Sequence, residues 1–202
     1  MMIISKIERV EEIPIVLHWL TEMHIAEIID SIWQSHGNWQ GLSYGQLAVL
    51  YITYIINSLT HTLSGMEDWV EEHRILLEIV TGWEIGEKDA TDDRIGIMMS
   101  EFGNSTAKIL EFHQNNGHQI IPAFELPTEI GRYDTTSVNV HHSKKDDSKG
   151  LLNLGPSLDN RPNLLQFKQG LGVLDPAGIP IVKPSLAMMQ MSRYMYQHGG
   201  KW

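Results

Sequence analysis

The chain contains no cysteine among its 202 residues. Disulfides and thiolate metal sites are therefore excluded, and we expect a cytoplasmic protein because this composition fits a reducing compartment. Long apolar runs are also absent: residues 47–59 are fewer than the roughly 20 that a membrane helix needs, and they include Asn57. No signal peptide is evident, because the short apolar start is followed by Glu8, Glu11 and Glu12. We expect no membrane partner.

Basic residues are scarce in the first part of the chain. Residues 1–129 contain 20 acidic and 6 basic residues, a net charge of −14, whereas residues 130–202 contain 5 acidic and 9 basic residues, a net charge of +4. This asymmetry predicts two different modules. Because contacts to phosphate need Lys and Arg, the acidic module is a poor candidate for DNA binding, and the basic module is a modest one.

The first 117 residues have the patterns of helices. Pro14 suits a first helical turn, where its missing N–H has no partner, and the apolar spacing predicts two short helices that meet near His24. Ser43 and Gln46 have capping-box spacing and precede a helix that is apolar nearly all round, which is typical of the centre of a bundle.

Three later signals divide the rest of this helical segment. Ser64 repeats the capping pattern ahead of a helix over residues 68–74. Asp92 and Asp93 suit the first turn of the next helix, where carboxylates complement the helix dipole, so we interpret them as capping residues and not as a catalytic pair. Ser105 is predicted to cap a final helix that ends at residues 115–117.

The hydrophobic period changes after Gly117. Residues 130–140 alternate and are rich in Thr and Val, which predicts a strand, and a polar loop and a short strand over residues 151–154 follow. Residues 164–174 and 178–182 flank a turn of sequence Asp-Pro-Ala-Gly, so they are predicted to form a hairpin. The fold class is therefore α+β: a helical N-terminal domain (residues 1–117) followed by a β-sheet (residues 118–182).

Asp134 is the main candidate site residue. It lies in residues 133–138 (Tyr-Asp-Thr-Thr-Ser-Val), a run otherwise suited to burial, so its carboxylate would need a partner or a metal. A lone Asp on a strand more often forms a structural hydrogen bond. The neighbouring hydroxyls and the following hairpin favour a site.

Residues 133–138, together with residues 157–166 (Ser-Leu-Asp-Asn-Arg-Pro-Asn-Leu-Leu-Gln) and the hairpin, resemble the start of the catalytic core of DDE-type insertion-sequence transposases. Residues 90–96 (Ala-Thr-Asp-Asp-Arg-Ile-Gly) and the helical order are similar to the segments ahead of that core in one family, which has a helical N-terminal domain of unknown function. The resemblance covers roughly residues 8–182 and implies an incomplete RNase H-like sheet.

By this resemblance, Asp134 is catalytic and is the first of three carboxylates that bind Mg²⁺ for DNA strand cleavage and transfer. The family's second Asp and its Glu have no counterpart, so we expect a fragment of a DNA transposase that is inactive alone. Its partners would be terminal-repeat DNA and a second copy or a full-length transposase. Five basic residues are candidates for DNA-backbone contacts, although exposed Lys is usually only solvated: Lys144, Lys145, Lys149, Arg161 and Lys168.

Residues 183–202 do not resemble the family and contain four Met within residues 188–195. The codons for Met188-Met189-Gln190, read from the third base, encode Asp and Ala. With permissive codons elsewhere, the shifted frame reads Ile-Ala-Gly-Asp-Asp-Ala-Asp-Val-Pro-Leu-Tyr-Val-Pro-Ala-Trp. This resembles the family's second-Asp segment, and we hypothesise that residues 183–202 are an out-of-frame tail.

Two other functions compete with this interpretation. A non-catalytic interaction module would dimerise with a full-length transposase and regulate it. An unrelated metal-dependent hydrolase would need carboxylates that converge on Asp134, and the only later ones are Asp146, Asp147, Asp159 and Asp175. His141 and His142 are more simply explained by a solvated loop than by a metal or phosphate site. An incomplete sheet also predicts an unpaired strand edge and self-association.

Overall fold

The computed structural model describes residues 8–141, 152, 154, 163–182 and 185–186. It is an α+β structure with six α-helices and four β-strands in the described part. The helices come first: α1 (Ile13–Glu22), α2 (Ile25–Ile32), α3 (Tyr44–Ser58), α4 (Met66–Thr81), α5 (Asp92–Gly103) and α6 (Thr106–Ala123). The strands follow: β1 (Gly131–Val140), β2 (Leu165–Leu174), β3 (Ile179–Val182) and β4 (Ser185–Leu186).

The chain divides into two compact units, Met1–Gln119 and Ile120–Trp202. The division falls within α6, two residues beyond the predicted boundary at Gly117. The prediction that this last helix ends at residues 115–117 is wrong, because α6 continues to Ala123. It ends in a Schellman motif: Glu125 is left-handed, and the N–H of Leu126 donates to the carbonyl of Ile121 at 2.9 Å.

The predicted break between two short helices at His24 is confirmed. His24 separates α1 from α2 with a left-handed φ of 52°, and Pro14 lies in the first turn of α1. Asp92 and Asp93 likewise occupy the first turn of α5. The cap predicted at Ser64 is wrong, because a 3₁₀ turn over Leu63–Gly65 precedes α4 and makes Gly65 the N-cap residue, without a side-chain cap.

The core of the helical unit surrounds α3, as its apolar sequence predicts. This helix contacts α1, α2, α4 and α5, and Leu47 and Leu50 are fully buried. Its start is fixed by a complete capping box: the N–H of Gln46 donates to Ser43 Oγ at 3.1 Å, and the N–H of Ser43 donates to Gln46 Oε1 at 2.9 Å. Ser43 Oγ also donates to Asp30 of α2 at 2.6 Å, so the cap ties two helices together.

Replacing Ser43 by alanine is therefore expected to lower the free energy of unfolding by about 1–2 kcal/mol, because a cap and an interhelical hydrogen bond are lost together. Urea denaturation followed by tryptophan fluorescence measures the change. Thr91 is a matched control, because it is the N-cap residue of α5 without a side-chain cap hydrogen bond. An equal loss in Thr91→Ala and Ser43→Ala would contradict this role.

The sheet is antiparallel throughout its described pairs. Strands β1 and β2 pair over ten residues, from Gly131 opposite Leu174 to Val140 opposite Leu165. The predicted hairpin is confirmed, because β2 and β3 pair around a turn over residues 175–178 in which Gly178 has a φ of +68°. Strand β4 pairs with β2 on the same edge as β3, so β2 lies between β1 and the β3–β4 edge. The short strand predicted over residues 151–154 falls largely outside the described residues.

Candidate functional site

Asp134 lies in the middle of β1, opposite Leu171 of β2. Its side chain is exposed, and its Oδ1 accepts a hydrogen bond from the N–H of Thr135 at 2.7 Å. The expectation that this strand buries the carboxylate and so forces a partner on it is wrong. The register instead presents the carboxylate on an open face of the sheet, where its second oxygen is available to a cation.

Only one of the neighbouring hydroxyls shares the face of Asp134. Side chains alternate along a strand, so Thr136 lies on that face, while Tyr133, Thr135 and Ser137 lie on the other. On that opposite face Tyr133 packs closely over Gly170 of β2, where a Cβ would overlap the tyrosine hydroxyl. The hydroxyl-rich sequence therefore does not form a hydroxyl-lined pocket around the carboxylate.

No second carboxylate approaches Asp134 among the residues that the structure describes. Asp175 forms an ion pair with Arg132 at the hairpin turn. It lies four positions after Leu171, the residue opposite Asp134, which places it about 13 Å further along the strand direction. In the same described ranges, no group of three His, Asp or Glu side chains is arranged to hold a metal ion. Asp146, Asp147, Asp159 and His142 fall outside those ranges, and His141 is exposed directly after β1.

Of the five predicted DNA-contact residues, the structure describes Lys168 alone. Lys168 lies opposite Ser137 in β2, and therefore on the other face of the sheet from the carboxylate. The remaining candidates lie outside the described residues: Lys144, Lys145, Lys149 and Arg161. Lys168 and Asp134 thus cannot contact the same phosphate from one side of the sheet.

A buried ion pair in the helical unit was not predicted. Asp89 is 2% exposed and accepts hydrogen bonds from the N–H groups of Leu42 at 3.2 Å and Gly86 at 2.8 Å. Arg94 of α5 pairs with it at 3.2 Å, and the guanidinium carbon lies 4.0 Å from the ring centroid of Trp39. This cluster joins the loop before α3 to the start of α5. Residues 90–96 carry part of the family resemblance, but no local pattern identifies Asp89.

Two tyrosines of α3 have raised pKa values. Burial raises the pKa of Tyr44, the Glu101 carboxylate raises it further, and Arg94 opposes the shift. Burial also raises the pKa of Tyr51, with a smaller contribution from Tyr54. Both phenols therefore remain protonated at neutral pH, as packed core groups do, and neither has the lowered pKa of an activated nucleophile.

A second polar chain that the sequence did not indicate runs from α4 to the residues before α1. Trp69 Nε1 donates to Asn57 Oδ1 at 2.7 Å, and Asn57 Nδ2 donates to Glu11 at 2.8 Å and to Glu12 at 3.1 Å. His73, one turn after Trp69, is 7% exposed and lines a cavity of about 580 Å³ beside these groups. The partners lie far apart in sequence, so no spacing pattern identifies the cavity.

Within the described residues, no individual helix combines the length and apolar character that crossing a membrane requires. Taken together by length and composition, α3 and the segment Leu63–Thr81 do pass that test, although they are bent by 91°. α3 forms the centre of the helical core, and most of its side chains are buried there.

Comparisons of the chain with protein-family models, with curated protein sequences and with solved structures find no significant match. The resemblance to transposases rests mainly on residues 133–138 and 157–181, with residues 90–96 and the order of the helices beside them.

Proposed function

We propose that this chain is part of a DNA transposase, with a helical domain ahead of the first strands of an RNase H-like core. The observation that carries the proposal is the position of Asp134, at the centre of a ten-residue strand with its carboxylate on an open face. The antiparallel order β1–β2–β3 supports it, because such a core begins with consecutive antiparallel strands around its first carboxylate.

The described residues do not by themselves fit a Mg²⁺ site. A hard divalent cation needs several oxygen ligands, and Asp134 is the only carboxylate at this position in the part of the chain that the structure describes. The sequence contains no Glu after Glu129. We therefore propose that the 202-residue chain does not cleave DNA and that the other carboxylates are encoded beyond codon 182 in the shifted frame.

The DNA after codon 182 tests this proposal directly. We expect an open frame, offset from that of residues 183–202, that encodes an Asp soon after the hairpin and a Glu on a later predicted helix. Stop codons in every frame shortly after this point would contradict it, because no catalytic core could then be completed.

The chain with its frame restored provides the biochemical test. With Mg²⁺ and a plasmid that carries the element's ends, the restored chain should nick DNA, and the 202-residue chain should not. Asp134→Asn in the restored chain is expected to lower the rate of nicking by more than about 100-fold. Changes to residues that only support metal ligands cost up to about that factor, and loss of a ligand itself should cost more. Asp175→Asn is the matched control, because this carboxylate pairs with Arg132 at the hairpin turn. Equal losses in the two variants would contradict a specific role for Asp134.

A second candidate function is a regulatory interaction module. The helical unit favours this function, because it has its own hydrophobic core around α3 and is one of the two compact units of the chain. Co-expression of the whole chain with the full-length transposase separates the two functions. Reduced transposition supports a regulator, and unchanged transposition supports an inert fragment.

A further inference from the structure

We propose that the helical unit binds a small, uncharged apolar molecule that carries one carbonyl oxygen. The site is a cavity of about 340 Å³ among α2, α3, α5 and α6. We call it the apolar cavity, and the residues that line it include Trp33, Ala48, Met99 and Phe112. All of them precede Gln119, so the cavity lies within one compact unit. This site does not depend on the function proposed above.

The lining of the apolar cavity determines which class of ligand fits. No charged side chain contributes to it in the described ranges, so a charged ligand would have no counterion in an apolar site. Its volume of about 340 Å³ lies within the range of small-molecule sites, roughly 300–1,000 Å³. An engineered cavity of about 150 Å³ with a similar apolar lining binds benzene. The space therefore suits a molecule somewhat larger than a single ring.

One polar group of the lining has no hydrogen-bond partner. Trp33 is only 4% exposed, and its Nε1 is enclosed without an acceptor among the described residues. Trp39 differs, because its Nε1 donates to the carbonyl of Leu42 at 2.7 Å. Trp69 Nε1 likewise donates to Asn57 Oδ1 at 2.7 Å. An isolated buried donor is unfavourable, and a ligand oxygen that accepts from Trp33 would remove this cost.

Water is a poor occupant of the apolar cavity, because a buried water needs two to four polar partners. Besides the indole N–H of Trp33, the described lining side chains offer the hydroxyl of Tyr51, whose proton is already donated to the carbonyl of His61 at 2.8 Å. A molecule with an apolar body and one acceptor fits better. Its body would contact the aliphatic and aromatic side chains while its oxygen accepts from Trp33.

The apolar cavity combines a fixed donor with a movable wall. The ring of Trp33 packs against those of Phe102 and Phe112, with centroids 4.7 and 6.3 Å away. Met99 also lines the cavity, and it is 46% exposed. Methionine is unbranched and flexible, so this side chain can move aside to admit a ligand.

Nuclear magnetic resonance titrations of the whole chain test the site, with camphor as the probe. Camphor is a rigid apolar cage with one carbonyl, and bornane, the same cage without the oxygen, is the matched control ligand. We expect camphor to move the indole proton of Trp33 downfield in a saturable way, because this proton gains an acceptor. The indole protons of Trp39 and Trp69 should not move, since both already have acceptors. No change at Trp33, or an equal downfield change with bornane, would overturn the proposal.

A cycle of two ligands and one variant measures the hydrogen bond itself. Trp33→Phe keeps an aromatic ring but removes the N–H group. The ratio of the camphor affinity to the bornane affinity is therefore expected to fall about 2–12-fold, the range that one net hydrogen bond covers. An unchanged ratio would overturn the role of Trp33, because any loss would then come from packing alone.

A second variant tests the cavity by its volume. Ala48 is 4% exposed, and a leucine in its place would occupy part of the cavity, so Ala48→Leu should abolish binding of both ligands. Ala107→Leu is the matched control, because this alanine is exposed on α6 and does not line the cavity. Circular dichroism confirms that each variant is folded. Camphor binding that survives in folded Ala48→Leu, or that Ala107→Leu weakens equally, would overturn the site.

Light scattering of the whole chain with and without camphor tests whether the occupant is a small molecule. We expect camphor to bind without changing the oligomeric state. Dissociation of an oligomer by camphor would overturn the proposal, because the apolar cavity would then belong to an interface between copies of the chain.

Discussion

Replacing Asp89 by alanine is expected to lower the free energy of unfolding of the helical unit by about 3–5 kcal/mol. The substitution leaves the Arg94 guanidinium with its charge uncompensated in a site where its side chain is only 20% exposed. It also removes the acceptor of the N–H groups of Leu42 and Gly86. Urea denaturation followed by tryptophan fluorescence measures the loss, because five of the six tryptophans precede Asp89.

Two further variants assign this loss to the buried pair. Asp93→Ala removes an exposed carboxylate from the first turn of α5. It should lower the free energy of unfolding by about 0.3–1 kcal/mol, which is the usual energy of interaction between such a carboxylate and the helix dipole. Adding Arg94→Met to Asp89→Ala should recover part of the stability, because no unpaired charge then remains. The effects of the two substitutions on the free energy of unfolding should therefore not add. If Arg94→Met lowers stability equally in the Asp89→Ala variant and in the unmodified chain, the two side chains do not interact as we describe.

Gly45→Ala is expected to lower the free energy of unfolding by about 3 kcal/mol, at the upper end of the cost of overpacking. A Cβ at this buried position of α3 would overlap the backbone carbonyl of Ala26 in α2. Backbone atoms cannot rotate away as a side chain can, so the two helices would have to separate. The hydrogen bond of 2.7 Å from the Gly45 N–H to Asp30 holds them at this distance. The same fluorescence-detected denaturation measures the change.

Gly96→Ala provides the opposite outcome within the same unit. Gly96 lies inside α5, and a Cβ there would have no neighbour within 4 Å among the described atoms. Alanine is the better helix former, so this variant should gain about 0.5–1 kcal/mol. A loss in Gly96→Ala equal to that in Gly45→Ala would contradict this account, because the cost could not then come from the contact with Ala26.

The candidate site on the sheet was predictable in part. The alternation of residues 130–140 predicted the strand that carries Asp134, and the Asp-Pro-Ala-Gly turn predicted the hairpin that follows. The surroundings of the carboxylate were not predictable. The hydroxyls that share its face follow from alternation along β1, but whether Lys168 does depends on the pairing register of β1 with β2. In that register Asp134 lies opposite Leu171, a residue more than thirty positions away in the sequence.

The amino-acid sequence by itself determined the features that depend on neighbours one turn away. Ser43 and Gln46 start α3, Pro14 lies in the first turn of α1, and Gly178 permits the hairpin turn, because each acts through groups within about four residues. The tertiary structure alone decided the buried pairing of Asp89, the close approach at Gly45 and the cavity beside His73. Asp89 and Leu42, for example, are 47 residues apart, and only the packing of the helices brings them together.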